Sequence, residues 1–169
     1  MELIALDHAT MEALAAGDLP SALRTAPVAL GPFFASDDQR GVWARRALQI
    51  AQDPQEAHWV TRIVWDPVER RAVGRAGFHG RPDHRGMVEV GYEIDPTLRR
   101  RGYARAALEA MLAWAEGEIE VHVVRASVSP DNDPSLRLIE QFGFQLVGDQ
   151  WDDEDGRELV FERDARTRD

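Results

Sequence analysis

The clearest alternation in the chain runs from Met87 to Ile94. Val88, Val90, Tyr92 and Ile94 take one side of a strand, and Glu89, Gly91 and Glu93 take the other. After Pro96 the period changes. From Tyr103 to Glu116, Ala104, Ala107, Leu108, Met111, Leu112 and Ala115 recur at helical spacing, and Gly117 closes the helix. The same two periods organise the rest. Strands are predicted at 58–65 and 71–79, with a turn at 66–70, and at 121–128. Leu136, Ile139 and Phe142 predict a helix over 133–142 that Gly143 ends, and the last two strands fall at 144–147 and 159–162. The Glu154-Asp155-Gly156 run within 152–156 suits a tight hairpin turn between them. At the start, residues 2–6 predict a short strand. Asp7 or Thr10 caps a helix through Met11, Leu14 and Ala15, which Gly17 stops. Residues 22–34, with Pro27, Gly31 and Pro32, read mostly as loop. Asp37 or Asp38 caps a second helix that ends near Asp53-Pro54. This order predicts an α/β layered domain, with a mixed, mostly antiparallel sheet of six to seven strands and about four helices.

Length and composition add boundaries. A chain of 169 residues predicts one domain over 1–169. Within it we expect an N-terminal part at 3–57, a core at 58–162 and a charged, fraying tail at 163–169. There are no cysteines, which excludes disulfides, thiolate metal sites and a cysteine nucleophile. The five histidines are scattered, so no metal is expected. A net charge of -10 disfavours nucleic acid and fits a cationic partner better. No apolar run is long enough to span a bilayer, and Met1 to Asp7 lacks a signal-peptide pattern. A cytoplasmic location away from membranes is the expectation.

Against that acidic background, Arg99, Arg100 and Arg101 are consecutive, and Arg105 follows one helical turn later. A strand ending at Ile94 leads into this basic loop, and a helix opens at Gly102-Tyr103. Unpaired amides and the helix dipole make such a helix start an anion site. Gly102, with no Cβ, lets a phosphate approach the backbone, and Ala104 is also small. A solvated arginine turn is the plain alternative.

Further residues shift that balance. Arg99 to Ala104, RRRGYA, resembles the acetyl-CoA signature Q/R-x-x-G-x-G/A of the GNAT N-acetyltransferases. Asn132 to Phe144, NDPSLRLIEQFGF, resembles the family's N-x-x-S segment and closing Gly-Phe. The resemblance covers about Trp59 to Glu162. VEVGYEIDP and the final hairpin are most similar to the branch of ribosomal-protein N-terminal acetyltransferases. It implies the GNAT fold and an enzyme that moves an acetyl group from acetyl-CoA to an amine by direct attack in a ternary complex. The acceptor would be a small molecule, a peptide or a protein N-terminus, with a homodimer as a further expectation.

The resemblance also implies roles. Amides from Arg100 to Ala104, Tyr103 included, and Arg105 would hold the pyrophosphate, helped by Arg99 and Arg101. The pantetheine arm would pair with backbone near Glu93 and Ile94 and bond to Asn132, which otherwise caps its own helix. A backbone amide near Tyr92 to Ile94 would polarise the thioester. Glu89 stands at the general-base position, with Glu93 as runner-up; His79 and His84 qualify by chemistry alone. The position that often carries an acidic tyrosine is Ile139, so Ser135 is expected to serve the departing thiolate. The missing tyrosine keeps open a non-catalytic acyl-CoA-binding or sensing domain. Trp43 with Phe33 or Phe34 lies in the stretch expected to line the acceptor site, although core is the safer assignment.

Overall fold

The structure, a computed structural model, describes residues 1–153 and 156–166. Its elements are β1 (Glu2–Ile4), α1 (His8–Ala15), α2 (Leu19–Thr25), α3 (Asp37–Gln52), β2 (Arg62–Asp66), β3 (Arg71–Phe78), β4 (Met87–Ile94), α4 (Tyr103–Gly117), β5 (Val123–Val128), α5 (Asp133–Gln141), β6 (Gln145–Asp152) and β7 (Gly156–Asp164). Short 3-10 turns cover Pro32–Ala35, Pro54–His58 and Pro96–Leu98. The seven strands form one sheet in the order β1-β2-β3-β4-β5-β7-β6. Every neighbouring pair is antiparallel except β4 with β5. This is the mixed α/β arrangement expected from the sequence, with five helices rather than about four.

Each face of the sheet has its own apolar layer. On one, Ala107, Leu108, Met111, Leu112 and Ala115 of α4 pack on Val88, Val90, Ile94, Val124, Ala126 and Val128. Burying a side chain such as Leu108 or Met111 contributes about 2 kcal/mol. On the other, α1 and α3 bring Met11, Leu14, Trp43 and Ala47 onto Val60 and Ile63. Trp43 and Phe34 are fully buried there, so they are core rather than pocket wall. The Trp43 indole N–H donates to the Phe34 carbonyl at 2.8 Å.

Several boundaries differ from the sequence expectation. Residues 19–25 form a helix, because Asp18 caps it by accepting from the Ser21 amide and Pro20 sits in its first turn, where its missing N–H is harmless. The strand expected from His58 begins only at Arg62, since the 3-10 turn uses 54–58. β5 starts at Val123 rather than Val121. The last two strands are much longer than expected, and part of their turn, residues 154 and 155, lies outside the described residues. The start of the expected tail is ordered. Ala165 is buried and donates its amide to the His122 carbonyl at 2.9 Å, while residues 167–169 lie outside the described residues. Among the described residues, no helix is long and apolar enough to cross a membrane.

Candidate active site

The site begins with a defect in the sheet. β4 and β5 pair only over Met87–Glu89 and Val123–Arg125. Beyond that point β4 stays with β3 through Ile94, and β5 stays with β7 through Val128. Each follows its own antiparallel partner, so the two parallel neighbours part. Along β4 the backbone of Glu89 and Asp95 bonds to β3. By alternation so do Gly91 and Glu93, which turns the N–H and C=O groups of Val90, Tyr92 and Ile94 toward the gap. A cleft of about 1600 Å³ fills the gap and continues onto the α3 face of the sheet.

At one mouth of the cleft sits the loop from Asp95 to Gly102. Asp95 Oδ1 accepts from the Thr97 amide at 2.9 Å and its hydroxyl at 2.7 Å, and the buried Leu98 anchors the loop. Arg100 and Gly102 then take left-handed conformations, with φ of 64° and 83°. No side chain caps α4, as none caps α3, whereas Asp7, Asp18 and Asn132 cap α1, α2 and α5. The first α4 bond runs from Ala106 N–H to Gly102 C=O, so the amides of Tyr103, Ala104 and Arg105 lie ahead of it. A Cβ on Gly102 would have no neighbour within 4 Å. The bare, outward-facing helix start therefore fits a phosphate group.

The arginines of this loop differ in placement. Arg99, Arg100 and Arg105 line the cleft; Arg101 is exposed and does not. Arg99 folds back so that its Nε donates to the Ile94 carbonyl at 3.3 Å. Arg105 bonds to Gln141 and lies over the Phe142 ring, joining the start of α4 to the end of α5. The Tyr103 hydroxyl donates to Asp66 at 2.9 Å, so its side chain ties the start of α4 to the β2–β3 turn.

Across the gap, Asn132 Oδ1 accepts from the Ser135 amide at 3.2 Å and starts α5. Ser135 lines the cleft, and the Tyr92 phenol comes up against it from β4. That phenol oxygen is enclosed and makes no well-formed hydrogen bond. Burial pushes the phenol up, and the neighbouring Ser135 hydroxyl opposes the rise. Alternation alone placed Tyr92 among the core positions of the strand, and no sequence signal paired it with Ser135. Ile139 is fully buried in the α4-side core, one turn further on.

On the α3 face, side chains rather than backbone make the polar surface. Glu93 accepts from Gln39 at 2.9 Å and from Arg75 at 2.8 Å, and Gln39 in turn accepts from Arg75 Nε at 2.5 Å. Glu93 is thus tied into an ion pair on its side chain and to β3 on its backbone. Glu89 is different: its side chain is 18% exposed and lies 3.8 Å from His79 Nδ1. Burial pushes His79 below its ordinary value, and Glu89 resists that shift. Nearby, the buried Arg46 bonds to Thr61 Oγ1, Gln49 Oε1 and the His79 carbonyl, all neutral oxygens. Burial brings Arg46 down to about 10, still cationic at neutral pH. His84 lies away from the cleft, in the exposed turn before β4.

The GNAT acetyltransferase domain model matches residues 8–145. The uncharacterized N-acetyltransferase YjdG of Bacillus subtilis is 36% identical over 74 residues, 44% of each chain. YoaA of the same organism, also an uncharacterized N-acetyltransferase, is 32% identical over 90 residues, covering 51% of this chain and 50% of its own. The chain therefore spans about half the length of these curated relatives. Among solved structures, the ribosomal-protein-S5-alanine acetyltransferase of Vibrio fischeri is 17% identical, covers 97% of this chain and 91% of its own, and has a TM-score of 0.65. A spermidine N-acetyltransferase SpeG mutant of Vibrio cholerae is 14% identical, with coverages of 98% and 95% and a TM-score of 0.67. At such identities these likenesses concern the fold. With the family model matched over most of its length, the chain belongs to the GNAT acetyltransferase family.

Proposed function

We propose that this protein transfers an acetyl group from acetyl-CoA to a primary amine. The observation that carries the reading is the uncapped α4 start standing at the mouth of the gap between β4 and β5. Amides of Tyr103, Ala104 and Arg105, beside Gly102, would receive the pyrophosphate, with Arg100 and Arg105 adding charge. The backbone of Tyr92 and Ile94, together with Asn132, would hold the pantetheine arm. Acetyl-CoA supplies an activated acetyl thioester, which would lie where the gap opens onto the α3 face. There the proton acceptor comes from the Glu89 end of the groove, and Ser135 serves the departing thiolate from the other side.

The α3 side of the cleft carries Asp38, Glu89, Glu93, Asp152 and Glu158 against Arg45, Arg46, Arg75 and Arg99, a balance that would suit a cationic amine. The same reading includes a cytoplasmic location and pairing of two copies along the β6 edge, where Leu146, Val147 and Trp151 are exposed. Calorimetry with acetyl-CoA tests the first half. Thiol release tests the second, with spermidine and a peptide bearing an N-terminal alanine as probes. Binding at micromolar levels with release supports the reading. Binding without release to any amine would instead favour a non-catalytic acyl-CoA sensor. No binding of acetyl-CoA or free CoA overturns the proposal.

A further inference from the structure

Within the acetyl-transfer reading above, we propose that His79 is the proton acceptor and that Glu89 is the carboxylate that positions its ring over Gly91. Sequence spacing hides this pairing, because residues 79 and 89 are joined by a long turn. The β3–β4 ladder ends with Phe78 opposite Val90, and one residue further on the His79 amide donates to the Glu89 carbonyl at 2.8 Å, which sets the two side by side. Side chains of such a pair share one face of the sheet. Here it is the α3 face, where the acceptor groove runs.

Gly91 completes the arrangement. A Cβ on Gly91 would lie 2.7 Å from His79 Nε2, so only glycine lets the imidazole lie over this point of β4. The ring is thus placed beside Tyr92, whose backbone borders the gap. His79 Nδ1 is turned to Glu89 at 3.8 Å. That separation is an ion-pair distance, and contacts of this kind commonly tighten once substrates are bound. With Nδ1–H directed at the carboxylate, Nε2 is the basic nitrogen, and it is the one over Gly91. Half of the His79 side-chain surface remains open to the groove, so an incoming amine can reach it.

The charged groups facing His79 are Glu89 from β4, Arg75 from β3, and Arg45 and Arg46 from α3. Glu56, in the turn before β2, bonds to Gln49, which also donates to the His79 carbonyl. Burial, with the nearby Arg46, Arg45 and Arg75, holds the imidazole below its ordinary value, and Glu89 opposes that shift. His79 Nε2 takes one proton from the ammonium. The freed amine forms the C–N bond, the C–S bond breaks, and CoA leaves as the thiolate. The second nitrogen proton passes to that thiolate by way of Ser135 or water, and His79 returns its proton to solvent.

The test uses the full chain with His79→Gln, Glu89→Gln and Gly91→Ala, the two probe amines above, and calorimetry with acetyl-CoA. Expected is a loss of about 100-fold in kcat for His79→Gln and about 10-fold for Glu89→Gln, with unchanged acetyl-CoA affinity. The acid limb of the kcat/KM profile should vanish in His79→Gln. It should move to lower pH in Glu89→Gln, because the carboxylate that holds the imidazole up is gone. Gly91→Ala should fall between the two by displacing the ring. An NMR titration of the histidine ring protons, assigned by His79→Gln, needs no acceptor. His79 should titrate below an ordinary histidine, and lower still in Glu89→Gln. The proposal is overturned by His79→Gln retaining turnover within threefold, by that variant keeping the acid limb, or by His79 titrating unchanged in Glu89→Gln. If the wild type fails to bind acetyl-CoA, the functional reading falls and the proposal falls with it. If it binds and His79→Gln turns over normally, only the base assignment is wrong.

Discussion

On the α4 side of the cleft, the polar surface is mostly main chain: the amides at the start of α4 and the open edge of β4 at Tyr92 and Ile94. On the α3 side it is side chain: the Gln39–Arg75–Glu93 cluster and the His79–Glu89 pair. The first surface is built from neighbours in sequence and depends on one glycine and one missing cap. The second joins residues from α3, β3 and β4 that the fold alone brings together. A backbone cradle tolerates changes of side chain, so it suits a ligand shared across a family. A side-chain groove changes with single substitutions, so it suits an acceptor that differs between members.

Gly102→Glu is the sharpest way to break the main-chain side. It adds a Cβ at φ 83° and a carboxylate where phosphate would sit, so acetyl-CoA affinity should drop by at least about 100-fold in calorimetry. Arg75→Ala tests the other side. It leaves Glu93 and Gln39 without their shared cation, and the pair is partly screened by solvent. A loss of about 2 kcal/mol in unfolding free energy, read from the urea midpoint, is expected, with acetyl-CoA affinity nearly unchanged. Ser135→Ala should lower kcat by about tenfold with the acetyl-CoA KM unchanged. A loss confined to KM would assign Ser135 to binding instead.

The comparison also has a pH signature. Arg125, then Arg85, hold the Glu162 carboxylate below its ordinary 4.5 on the α3 face of the sheet. A lowered carboxylate stabilises the fold above its unfolded value, and that stability is lost as pH falls through the folded one. Glu162→Gln should therefore cost about 1 kcal/mol at pH 7, and the gap to wild type should close as pH falls below 4.5. The smallest effect belongs to Arg101→Ala, which should change acetyl-CoA affinity by less than about threefold, because Arg101 does not line the cleft.

Much of the main-chain side was legible in the sequence because its causes are local. The alternation of β4, the period of α4 and Gly102 between them predict a strand, a sharp turn and a bare helix start. Asn132 as the α5 cap is likewise a local matter. Arg99 and Arg101 were harder, since three consecutive arginines look alike until Arg99 turns back onto Ile94 and Arg101 turns out. The α3 side was largely illegible. Gln39 and Glu93 are 54 positions apart, and nothing local marks either as a partner of Arg75. His79 qualifies by chemistry alone in the sequence, and only the fold sets it beside Glu89.

By itself, then, the sequence determined the periods, the caps and the bare helix start, because these rest on side-chain spacing and backbone freedom within a few residues. It also carried the family through the Arg99–Ala104 and Asn132–Phe144 segments. The tertiary structure decided where β4 and β5 part, which carboxylate is tied up and which faces a histidine. Those outcomes depend on strand register and on competition between antiparallel partners, interactions between distant positions that no local pattern encodes.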